Sequence, residues 1–270
     1  IDGNGRRVAA DPYRGTVEAV VECAANLACV GAEPLGLTNC LNFGNPEKPH
    51  IAWQLDRAVS GLADACRALG IPVVGGNVSL YNEGPAGPIY PTPIVGIVGK
   101  LPDPAKVPGS AFRADGDVIA LVGPFRPSLA GSELEKLRGG LADALPEVDL
   151  AEQARALAAV REAARGGRLS SVHDVSGGGL ACALAESCIA GDIGARITLP
   201  EGDAEALLFG EGPGGWVVSG PAEAVEELGG IRLGVVGGDA LEIATGAATL
   251  SLRVAELRDA FERGIPDRFA

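Results

Sequence analysis

The chain of 270 residues is 47% hydrophobic and 21% charged, enough apolar content to bury a sizeable core in one large or two modest domains. Its formal net charge of −13 sets it against nucleic acid and anionic membranes, so any anionic ligand needs a local exception to the average field. No apolar run reaches the roughly 18 residues of a membrane helix, and Ile1-Asp-Gly-Asn-Gly-Arg-Arg7 lacks the apolar centre of a signal peptide, so the cytosol is the expected compartment.

The sequence holds no Met and begins at Ile1, so it reads as a piece of a longer product with part of any site upstream. Along the chain, Val17, Val20, Val21, Ala24, Leu27 and Ala28 predict a helix over 16–30. A strand over 34–41 follows. Ile51, Leu55, Ala58, Leu62, Ala65 and Leu69 then form one helical stripe, closed by Gly70. Ile71 to Val74 reads as a buried strand, and Pro88 to Gly99 as an edge strand punctuated by proline. Breakers crowd residues 100–117, and the domain boundary is expected there. Beyond it, strands are expected at 117–123, 169–172, 195–199, 216–219, 231–236 and 241–244, with an amphipathic helix at 150–165. The first unit is α/β and the second a mixed α/β or α+β sandwich.

Six cysteines stand at 23, 29, 40, 66, 182 and 188 with no C-x-x-C pair and only two histidines, which argues against zinc. Cys23, Cys29, Cys66, Cys182 and Cys188 fall in Ala-rich helical patterns and read as small buried packing residues. Cys40 lies beside polar residues, without a histidine placed in sequence to activate it.

Two segments carry the chemistry. In Ile71-Pro-Val-Val-Gly-Gly-Asn-Val-Ser-Leu-Tyr-Asn-Glu83 an apolar strand meets Gly75 and Gly76, expected to turn sharply and let a ligand approach, followed by the compact oxygens of Asn77, Ser79, Asn82 and Glu83. Leu37-Thr-Asn-Cys-Leu-Asn-Phe-Gly-Asn-Pro-Glu-Lys-Pro49 sets a second strand end against amides, and the two are expected to face one pocket. A third run, Ser171-Val-His-Asp-Val-Ser-Gly-Gly-Gly-Leu180, passes into a helix whose first N–H groups suit either an anion or simple packing. There the adjacent His173 and Asp174 read either as a catalytic or phosphate-contacting pair or, the preferred reading, as a helix cap from Asp174 with His173 packed below. Glu211, in Phe209-Gly-Glu-Gly-Pro-Gly-Gly-Trp216, reads equally as a ligand contact or a solvated turn residue, and His50 as a surface residue.

The runs Asp11-Pro-Tyr-Arg-Gly15, Leu37 to Pro49, Pro72 to Glu83, Pro91-Thr-Pro-Ile-Val-Gly96 and His173 to Glu186 together resemble, in order and over nearly the whole chain, the C-terminal half of the phosphoribosylformylglycinamidine synthase family, small bacterial type. The resemblance implies an aminoimidazole ribonucleotide (AIR) synthetase-like unit, α/β and α+β. Its N-terminal α/β half-barrel lobe would span 1–110, and its C-terminal lobe of mixed sheet plus helices 111–270. It further implies an ATP-dependent carbon–nitrogen ligase of purine biosynthesis, which uses glutamine-derived ammonia to convert formylglycinamide ribonucleotide to the amidine. Implied cofactors are ATP and Mg2+. Implied partners are the N-terminal half of the same enzyme (or a second copy of this half), a glutaminase subunit and a small bridging subunit. By position, Asn39 and Gly76 match ATP contacts, Asn77 a magnesium ligand and Ser79 a substrate contact. No catalytic residue is implied in this chain, because the family's catalytic histidine belongs to the other half, and neither His50 nor His173 inherits that role. Asn39 stands where some members have Asp, Gly177 where many have an acid, and Glu211-Gly-Pro-Gly in place of a substrate-binding triplet. A half holding only a structural nucleotide, and a stand-alone relative such as a selenophosphate synthetase, remain the alternatives.

Overall fold

A computed structural model of the chain describes residues 1–246 and 248–269. Asn4 caps α1 (Gly5–Ala10) by accepting from the Arg7 N–H, and Asp11 caps α2 (Pro12–Cys29) by accepting from Tyr13 and Arg14, with Pro12 in the first turn. β1 (Glu33–Asn42) follows, then α3 (Pro49–Leu69), which ends where Gly70 turns left-handed at φ 67. β2 (Val73–Ser79), the small hairpin β3 (Glu83–Gly84) and β4 (Gly87–Pro88), and β5 (Thr92–Lys100) complete the first lobe. Its sheet runs β2-β1-β5, with β2 parallel and β5 antiparallel to β1.

Two expectations fail at β2. The strand does not turn at Gly75 and Gly76; it runs straight through both, and neither has a positive φ. Nor is it buried: Val73 is 48%, Val74 71% and Val78 55% exposed. The cause is position. β2 is the sheet's edge, and α2 packs against β5 and β1 rather than β2. An apolar strand is buried only where something covers it, and nothing among the described residues covers this one.

The second lobe is built of β6 (Val118–Val122), α4 (Glu133–Leu137), α5 (Leu150–Arg165), β7 (Ser171–Asp174), α6 (Gly179–Gly191), β8 (Ala195–Thr198) and α7 (Ala204–Phe209). β9 (Trp216–Gly220), α8 (Ala222–Glu226), β10 (Ile231–Val236), β11 (Ala240–Ala244), β12 (Thr249–Arg253), α9 (Val254–Arg263) and α10 (Pro266–Phe269) follow. Among the described residues the strands form a seven-stranded sheet in the order β12-β11-β8-β10-β6-β9-β7. Alternation along β6 divides its two faces: Val118, Ala120 and Val122 join one core cluster and Ile119 another. The first cluster also holds Leu37 and Val95 of the small sheet and the buried face of α2, so α2 lies between the two sheets and serves both. The second sits between the far face of the large sheet and Leu180, Leu184 and Cys188 of α6. Polar contacts reinforce the seam, where Arg165 Nε donates to the Gly31 carbonyl at 2.7 Å and Arg14 Nη1 to the Leu145 carbonyl at 2.6 Å.

Candidate functional site

Parallel pairing of β1 and β2 sets Asn39 beside Gly76, Cys40 beside Asn77, and Asn42 beside Ser79. Because side chains alternate along a strand, Asn39 and Gly76 share one face of the sheet while Asn77 and Ser79 share the other. Contacts agree. A Cβ on Gly76 would stand 2.6 Å from Asn39 Oδ1, and Asn77 Nδ2 lies 3.7 Å from Cys40 Sγ on the opposite side. The four residues therefore do not converge on one pocket: Asn39 and Gly76 lie on one face of the β1–β2 pair, and Asn77 and Ser79 on the other. Glycine matters here for space, since any side chain at 76 would collide with the Asn39 amide.

Beyond Ser79 the chain folds back on itself. Ser79 Oγ donates to Asn82 Oδ1 at 3.3 Å, and Asn82 Nδ2 donates to the Ser79 and Phe43 carbonyls at 2.9 and 3.1 Å. Tyr81 between them is left-handed at φ 62, a conformation uncommon for an aromatic residue. Glu83 is not free: it accepts from Lys48 Nζ at 2.7 Å and from the Asn45 N–H at 3.2 Å, and the hydrogen bond from Lys48 holds its carboxyl below the ordinary range.

A second polar constellation lies between the lobes, and only part of it is legible in the sequence. Arg7 donates to Glu18 through Nε at 2.6 Å and Nη2 at 2.9 Å, and its Nη1 lies 3.8 Å from Glu211 Oε2. Glu211 is buried, so it is no solvated turn residue: its Oε1 accepts from the N–H groups of Gly178 and Glu133, each at 2.8 Å. Asp174 does not cap α6, whose N-cap is Gly178 and which has no side-chain cap. Instead Asp174 lies 3.5 Å from His173 Nδ1, whose Nε2 is 2.9 Å from Glu186. Burial opposes a charge on His173, but hydrogen bonds to Asp174 and Glu186 prevail and lift it to about 9. Burial and the neighbouring Asp174 push the Glu22 carboxyl well up. Burial also disfavours the Asp174 charge, yet hydrogen bonds from His173 and Glu22 hold it below the usual range. Glu18 and Glu22 stand on the inward side of an Ala- and Val-rich helix, the sequence signal that could have revealed them.

Cys23, Cys29, Cys66 and Cys188 are buried as expected, whereas Cys182 is exposed on the first turns of α6. His50 is exposed. Among the described residues, no cluster of three or more His, Cys, Asp or Glu side chains is arranged to hold a metal ion, and no helix is long and apolar enough to cross a membrane.

Two family models match, the N-terminal domain of AIR synthase related proteins over residues 1–101 and the C-terminal domain over residues 114–232. The chain belongs to the AIR synthase related family, with that family's mixed α/β fold. Within it, the chain is 48% identical over 287 residues to the phosphoribosylformylglycinamidine synthase subunit PurL of an Anaeromyxobacter species, covering 98% of this chain and 37% of the relative. It is 44% identical to the subunit of the same name from Moorella thermoacetica, covering 98% and 38%. The chain thus spans little more than a third of the length of these relatives. A structure of Thermotoga maritima PurL complexed with FGAR superposes with a TM-score of 0.77 at 16% identity, over 95% of this chain and 45% of that one. The hydrogenase maturation protein HypE in complex with ATP superposes at 0.65 with 17% identity, over 88% and 78%. At such identities these likenesses speak for the fold alone.

Proposed function

We propose that this chain is the second half of an ATP-dependent carbon–nitrogen ligase of purine biosynthesis, which converts formylglycinamide ribonucleotide, ATP and glutamine-derived ammonia to the amidine, ADP and phosphate. The observation that carries this is the 48% identity to a synthase subunit across 98% of the chain. The first lobe takes residues 1–110 and the second 111–270, and the ligase is cytosolic. Asn39 and Gly76 contact ATP at the β2 edge, Asn77 serves the metal and Ser79 the substrate. Asn77 fits magnesium as one neutral oxygen beside nucleotide phosphates and water, not as part of an all-protein cage. Bound there, the ion would neutralise phosphate charge. The acid–base group comes from the N-terminal half: His173 is committed to Asp174 and Glu186, and His50 is exposed. That half, or a second copy of this one, covers the apolar Val74, Val78, Ile94 and Val98 of the small sheet, which are 37% to 71% exposed. A glutaminase subunit and a small bridging subunit deliver ammonia.

Calorimetry with ATP and magnesium tests the site. Gly76→Val is expected to abolish binding in a folded chain, because its Cβ displaces the Asn39 amide; unchanged affinity would refute the assignment. In an assay fed with ammonia, the isolated chain should form no amidine. Turnover by this chain alone would place the acid–base chemistry here.

A further inference from the structure

The Ser176-Gly-Gly-Gly179 turn leads into the 13-residue α6 and offers backbone N–H groups of the kind that bind phosphate. That position is already taken by the chain itself. The Glu211 carboxylate receives the Gly178 and Glu133 N–H groups on one oxygen, and its other oxygen faces Arg7 Nη1. Two main-chain amides and a guanidinium around one anion are the donors a phosphate oxygen would seek. The carboxylate is 4% exposed, and its backbone is fixed by paired bonds with Ser128, N to O at 2.9 Å and O from N at 3.0 Å. Gly179 allows the approach. It is left-handed at φ 72, and a Cβ there would stand 2.7 Å from the carbonyl oxygens of Leu208 and Gly210.

The adjoining space argues the same way. A cavity of about 180 Å³ opens beside Gly177 and Arg7, but Asp2, Glu18 and Glu22 also line it. With Glu18 holding Arg7 through two bonds and Glu211 facing its Nη1, two carboxylates offset one guanidinium, and an incoming anion finds no positive charge while Glu211 is in place.

We propose that Glu211 is a built-in substitute for a phosphate: it fills the anion position at the start of α6 and keeps the second lobe closed to phosphorylated ligands. A nucleotide is thereby left the β2 edge of the first lobe, though the inference does not depend on that assignment. Removing the carboxylate opens a latent phosphate site.

The test uses inorganic phosphate and the full chain. Thermal unfolding and calorimetry are run in phosphate and in chloride at equal ionic strength. Wild type should show no phosphate-specific gain. Glu211→Gly leaves the Gly178 and Glu133 amides without their acceptor and removes the carboxylate that faces Arg7 Nη1, so it should melt lower in chloride and recover saturably with phosphate, which it binds at least about tenfold more tightly than wild type. Glu211→Gln keeps the shape and one acceptor oxygen but loses the charge, so it should gain a smaller response. Equal phosphate gains in wild type and Glu211→Gly, or a folded Glu211→Gly indifferent to phosphate, would overturn the proposal. If Glu211→Gly folds only in phosphate, the proposal stands. If it folds in neither salt, Glu211→Gln decides, and binding no better than wild type overturns it.

Discussion

Gly75–Ser79 in the first lobe and Gly177–Gly179 in the second are both glycine-rich, and their surroundings are opposite. Around the second, donors and acceptors are matched within the chain: Glu211 takes the Gly178 amide and His173 is held by two carboxylates. Around the first, β2 keeps an open edge, its valines lie in solvent and the Asn77 amide lies 3.7 Å from a cysteine sulfur. Glycine content therefore does not distinguish an open strand edge from a packed turn. The distinction lies in whether the chain has spent its own polar groups there.

The contrast can be tested at both ends. Trp216 is fully buried in the core cluster shared by the lobes, and Trp216→Ala should cost about 3–5 kcal/mol in denaturant unfolding. A loss under about 1 kcal/mol would show the second lobe to be loosely packed. In the first lobe, Ser79→Ala should leave stability nearly unchanged. It should lower use of the amidine precursor by the reassembled enzyme roughly 10- to 100-fold, the value of one hydrogen bond to a charged group. Wild-type kinetic constants for that substrate would remove Ser79 from the site.

His173 gives a smaller effect with a definite sign. Its pKa rises from 6.5 to about 9 on folding, so its contribution is complete below the lower value and is lost as pH climbs through the upper. Between them, stability should fall by on the order of 1–2 kcal/mol, allowing for solvent around Glu186. A His173→Gln chain should lose that slope, and an unaltered slope would mean that other groups carry it. Least affected in isolation is Val74→Asp, expected to stay within about 0.5 kcal/mol of wild type because the side chain is 71% exposed. Its effect should show in light scattering with the N-terminal half, as lost association. Unimpaired assembly would detach the β2 face from the interface.

Regular spacing made much of the fold legible. The apolar stripe predicted α5 at residues 150–165, and the strand expected at 231–236 is β10, as found. β2 misled because Ile71-Pro-Val-Val has the composition of a core strand, while its burial depends on a surface outside the chain. The short α1 has too few turns for a periodic signal, and β12 and α9 follow a glycine- and alanine-rich stretch that hides their start. The adjacency of Asn39 and Gly76 was implicit in two parallel strands. The role of Glu211 was not, since its partners Arg7, Glu133 and Gly178 come from three distant parts of the sequence.

The placement of α2 between the two sheets bears on how the chain comes together in time. This helix is complete by residue 29, yet Val118, Leu157, Trp216 and Val218, which cover one of its sides, emerge roughly 90 to 190 residues later. Until then its valines and alanines have the small sheet and α3 for cover but nothing on the side that faces the second lobe, and the shared core is unfinished. Melting should therefore proceed in one step rather than two, and a cut between the lobes would leave two incomplete halves instead of two independent modules.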